Sequence, residues 1–78
     1  MAVQAKFYVA ETTKFSNEWG KVVLRPVTRG EANKDWAAAT PSGTIEMSIT
    51  NPPALKWFED RIGKECAITF EEYEHSEG

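Results

Sequence analysis

A single cysteine, Cys66, and a single histidine, His75, are all that this chain offers to disulfide, thiol or imidazole chemistry. One cysteine excludes an internal disulfide, and no His/Cys cluster exists to hold a structural metal. Its flanks, Ala67 and Ile68, read as strand, so Cys66 is expected to be a small buried apolar residue rather than a reactive thiol. His75 falls among Glu72, Glu74 and Glu77 in a polar tail, where a mobile acidic cluster makes neither a general base nor a preformed metal site. The five glycines, Gly20, Gly30, Gly43, Gly63 and Gly78, are scattered and form no phosphate-binding loop. Apolar runs stay far below the ~18 residues of a membrane span. The opening MAVQAKFYVAE has no apolar signal core and is charged by Lys6. These absences predict a cytoplasmic protein that is not an enzyme and needs no cofactor or metal.

The adjacent carboxylates Glu59-Asp60 and Glu71-Glu72 do not restore a catalytic reading. Helix neighbours do not face each other, and strand neighbours point to opposite faces. What the chain does have is aromatic bulk: four phenylalanines, two tyrosines and three tryptophans in 78 residues. A domain this short buries only about 60% of its unfolded surface. Aromatics must therefore fill its core or build an interface. Charge is divided unevenly within a net −3: residues 1–34 carry six bases against three acids, and residues 35–78 carry three against nine. The bland account is a solvated surface with an acidic tail; the sharper one is a basic face made by the first strands.

Period-two alternation and turn residues organise the chain as one domain, 1–78, ordered over about 5–73 with an acidic tail at 74–78. Residues 6–15 read as a strand with Phe7, Val9 and Glu11 on one face. Gly20, free to take a positive φ, closes the turn before a second strand over 21–28. Pro26 there cannot donate to a ladder, which predicts an edge strand, a bulge or a bend. Asn33 is placed to cap a helical turn through Trp36 and Ala37-Ala38-Ala39, ended by the Thr40-Pro41-Ser42-Gly43 turn signature. The stretch 44–50 alternates cleanly, with Ile45, Met47 and Ile49 on one side. Asn51-Pro52-Pro53 then opens a helix whose Leu55, Phe58 and Ile62 should face the core, with Gly63 as its left-handed end. A last strand follows over 65–72, with Cys66, Ile68 and Phe70 on one face. The expected class is β-rich α+β: a small curved antiparallel sheet or partly open barrel of about four strands with one or two short helices. Four strands leave edges, which favours a homo-dimer or higher oligomer.

Trp36, Trp57, Arg25, Arg29 and Asn33 are the candidate partner or ligand surface. Two tryptophans suit stacking, and two arginines suit a phosphate. The competing reading makes both tryptophans core and Asn33, like Asn51, a helix cap. Lys6, Lys14 and Lys21 beside Phe7 and Tyr8 also supply the ingredients of a single-strand nucleic-acid groove, against which the acidic pI near 5.1 weighs.

The ordered set Glu31, Asn33-Lys34-Asp35-Trp36, Thr40-Pro41-Ser42-Gly43, Asn51-Pro52-Pro53-Ala54 and Gly63-Lys64 resembles a family of short uncharacterised proteins of tailed bacteriophages and prophages. The resemblance spans roughly residues 6–73. This chain departs from it with Ala32 inserted before Asn33 and with Cys66-Ala67 in place of aromatics in the last strand. The resemblance implies phage origin and work in the host cytoplasm, and it transfers no activity. The expected function is a non-enzymatic accessory protein that binds and modulates a host or phage protein, with counter-defence as one such role. The alternatives are a nucleotide-binding sponge and a single-stranded nucleic-acid-binding small barrel.

Overall fold

The computed structural model describes residues 2–30, 32–37 and 40–74. Its elements in chain order are β1 (Val3–Lys14), β2 (Gly20–Pro26), β3 (Ile45–Ile49), α1 (Pro52–Glu59) and β4 (Glu65–Phe70). The sheet order is β3-β2-β1-β4, antiparallel throughout, and it curls strongly into a half-barrel. This is the small β-rich α+β architecture that the alternation implied. Strand β1 begins three residues earlier than the apolar pattern suggested, because its first residues pair with the end of β4.

One face of the sheet carries the core. Ala5, Phe7 and Val9 of β1 meet Val22 and Leu24 of β2, and Leu55 of α1 lies over them, all nearly inaccessible. A β-bulge between Val9 and Glu11 breaks the expected face assignment. Glu11 pairs with Val23 on the convex side instead of following Phe7 and Val9 into the core. An extra residue in one strand inverts the alternation beyond it and increases local twist, which helps the sheet curl. Val23, between Glu11 and Glu46 on that convex side, is nonetheless buried.

Pro26 does not mark an edge strand, since β2 lies inside the sheet. The amide of Val27 donates to the Lys6 carbonyl on the β1 side, so the missing N–H of Pro26 faces the other way. On that side β3 has already ended, at the Leu24–Ile45 pair. The proline therefore sacrifices no ladder bond. Gly20 keeps a negative φ and serves close packing instead. A Cβ there would lie 2.5 Å from the Thr13 carbonyl oxygen and about 3.1 Å from the Leu55 side chain.

Helix α1 starts as the sequence signalled, with Asn51 at the cap position and prolines in the first turn, although the Asn51 side chain makes no capping bond. It ends at Glu59 with Asp60 as its C-cap. Gly63, at φ 85°, lies three residues beyond, in the turn into β4 rather than at the helix end. Ile62 is consequently outside the helix and more than half exposed, bridging to Val9 instead of facing the core. The helix packs against β1, β2 and β3 and leaves β4 uncovered. Ala38 and Ala39 of the alanine run, Glu31 of the resemblance and residues 75–78 of the tail, His75 among them, lie outside the described residues.

Candidate apolar groove between the helix and the outer strands

The helix is too short to roof the whole concave face. Beyond its C-terminal half an apolar groove of about 360 Å³ remains open. Leu24 is part of its floor. Ile45 and Met47 form one wall, held there by their pairing with Leu24 and Val22. Cys66, Ile68 and Phe70 form the other, paired with Phe7, Ala5 and Val3. Trp57 and Phe58, packed edge to face at 4.9 Å, overhang it from α1. Trp57 is 44% exposed and Phe70 53%, unusual freedom for such large apolar side chains.

A second, shallower hollow of about 700 Å³ adjoins the start of β4. It shares Trp57, Cys66 and Ala67 with the groove and adds Asp60, Arg61, Lys64 and Glu65. Arg61 rests its guanidinium 4.1 Å from the centre of the Trp57 ring and donates to the Trp57 carbonyl at 2.9 Å. The carbonyl bond anchors the guanidinium, which lies against the indole face.

The five residues singled out from the sequence do not converge. Trp57 reaches the groove. Trp36 packs on the core, its ring parallel to Phe7 at 6.0 Å, with its indole N–H buried and unpartnered. Arg25 pairs opposite Tyr8 on the convex face. Arg29 bonds Glu65 beside a convex cleft of about 270 Å³ that also contains Tyr8 and Thr28. Asn33 is committed to the fold. Its side-chain carbonyl accepts from the Lys6 amide while its NH2 donates 2.8 Å bonds to the carbonyls of Lys6 and Val27. The amide thus stands in for the ladder partner that Lys6 loses where β2 ends at Pro26. Its own backbone carbonyl accepts from Trp36 and Ala37, so a helical turn forms there, but the side chain does not cap it.

The groove walls Ile45, Met47, Cys66, Ile68 and Phe70 read as ordinary core in the sequence. The available signal was numerical: one eight-residue helix cannot cover the apolar face of four strands. Among the described residues, no three His, Cys, Asp or Glu side chains gather closely enough to hold a metal ion, and no helix is long and apolar enough to cross a membrane. No protein-family model, curated protein or solved structure matches this chain. Fold and site together define a small half-barrel domain with an open apolar groove.

Proposed function

We propose that this chain is a non-enzymatic, phage-encoded accessory protein that acts in the host cytoplasm by binding and modulating a host or phage protein. The observation that carries the reading is the groove itself. Its walls are apolar and two large aromatics, Trp57 and Phe70, stand partly in solvent at its margin. Grooves of this kind take apolar side chains from a protein segment, with aromatics as the usual anchors. The adjoining hollow holds Asp60, Arg61, Lys64 and Glu65; Asp60 and Glu65 are paired with Lys56 and Arg29, so Arg61 and Lys64 would select an acidic flank on the incoming segment. A role in counter-defence is one setting in which such binding would operate.

The nucleotide-sponge and single-strand readings have weaker support. Arg25 and Arg29 lie on the convex side, away from Trp57, and Arg29 is already paired with Glu65. The test is paired affinity capture from host and infected-cell lysate with the parent chain and with Ile45→Glu, which places a carboxylate at the groove wall. The proposal expects a defined protein retained by the parent and lost with the folded variant. Equal recovery with both, or none with either, would contradict it.

A further inference from the structure

We infer that two copies of this chain pair through their β4 edges, making one continuous eight-stranded sheet with a two-fold axis at Ala67. The inference stands on the backbone of β4 and its flanking charges; it takes up Phe70, Arg61 and Lys64 at the groove's margin, so a partner that uses those residues would compete with the second copy.

Along an antiparallel ladder, the backbone groups of successive residues face alternate neighbours. The N–H of Val9 donates to Lys64 and its carbonyl accepts from Gly63, so Val9 faces the β4 side, while Lys6 faces β2 through Val27 and Asn33. By the same alternation Phe7, Ala5 and Val3 engage Cys66, Ile68 and Phe70. Glu65, Ala67 and Thr69 are left with their N–H and C=O groups turned outward from the sheet's edge. Natural edges are usually guarded by lysine, proline or a bulge. The segment Glu65–Phe70, ECAITF, has no lysine, proline or bulge, and its one charge, Glu65, is paired with Arg29; the chain's bulge and Pro26 both sit in the inner strands.

The edge is complementary to itself. A two-fold at Ala67 sets Glu65 opposite Thr69 of the second copy, and all the outward groups of both strands are then bonded. Faces are preserved, so Cys66 lies beside Ile68 of the second copy on the concave side. No like charges meet within the strand. The flanks agree as well. Arg61 and Lys64 precede β4, and Glu71, Glu72 and Glu74 follow it. Antiparallel pairing brings the basic flank of each copy against the acidic flank of the other, twice. Among the described residues the ion pairs Lys21–Glu46, Arg29–Glu65 and Lys56–Asp60 use none of these five. The same register carries the exposed Phe70 to the position of Lys64 in the second copy, over the hollow lined by Trp57, Arg61 and Lys64. Strand β3 offers less. Only Glu46 and Ser48 turn outward within it, and pairing centred on Glu46 would oppose two carboxylates.

Sedimentation of the parent chain should give twice the 8.8 kDa chain mass at high micromolar concentration. Ala67→Glu suits the monomer, where position 67 is exposed and faces Lys6, but places two carboxylates together on the two-fold. Its dimer dissociation constant should rise by at least about tenfold. A parent that stays monomeric, or a dimer indifferent to this change, would overturn the inference. A second readout does not depend on that variant folding normally. Hydrogen-bonded antiparallel pairs hold Cα atoms about 5.5 Å apart, within disulfide range. In a Cys66→Ser background, Ala67→Cys should therefore cross-link under mild oxidation and Thr69→Cys should not. Failure of the first, or equal cross-linking of both, would contradict the register.

Discussion

Strands β2 and β4 flank the same long strand, β1, yet they end in opposite conditions. Val22 and Leu24 of β2 are buried, sealed by β3 on one side, β1 on the other and Leu55 above. Cys66 and Ile68 of β4 are only half-buried, and Phe70 is mostly free. Composition does not account for this, since ECAITF is the more apolar of the two beside GKVVLRP. Position does. The crossover through α1 returns the chain to the far side of β1, where the helix no longer reaches. One half of the concave face therefore holds the fold together, and the other half presents a surface.

The sharpest way to break that contrast is to remove a side chain from each half. Leu55→Ala empties a fully enclosed site over Gly20 and should cost about 2–5 kcal/mol in denaturant unfolding. Ile68→Ala on β4 should cost less, about 1–2 kcal/mol, because Ile68 is only partly buried and the groove beside it is open. Equal losses would mean that β4 belongs to the sealed core.

The next largest effect falls where a side chain, rather than a strand, completes the ladder. Asn33→Ala strands the Lys6 amide and the buried Val27 carbonyl, and leaves the Lys6 carbonyl with the Val27 amide as its remaining donor. We expect a loss of at least about 2 kcal/mol by thermal unfolding. A neutral result would show that water replaces the amide.

The smallest effect is expected at the convex ion pair. Arg29→Ala should change stability by less than about 1 kcal/mol, since the Arg29 side chain is largely exposed and surface pairs contribute little. A larger loss, again by denaturant unfolding, would assign the exposed 28–30 segment a structural role that its exposure does not suggest.

The elements themselves were legible because their signals are local. The alternation of Ile45, Met47 and Ile49 and the Asn51-Pro52-Pro53 helix start each appear where the residues placed them. Strand order was not legible, because pairing β4 with β1 depends on the path of the crossover rather than on either strand. Pro26 looked like an edge marker because sequence cannot say which side of a strand its absent N–H faces. Asn33 looked like a cap because its true partner, Lys6, is 27 residues away. The Val9–Glu11 bulge likewise hides in a sequence that alternates normally. Of the site, Trp57 reads in sequence as either surface or core and lies 44% exposed, and the arginines expected beside it fall on the opposite face. The groove walls were invisible as a site because burial is a property of what covers a residue.

The most direct measurement is residue-resolved amide hydrogen exchange of the dilute chain. The account predicts alternating protection along β4: Cys66, Ile68 and Phe70, bonded to β1, exchange slowly, while Glu65, Ala67 and Thr69 exchange fast and become protected as concentration rises. Uniform protection of all six amides at the lowest concentration would contradict it, because the β4 edge would then already be covered within the single chain.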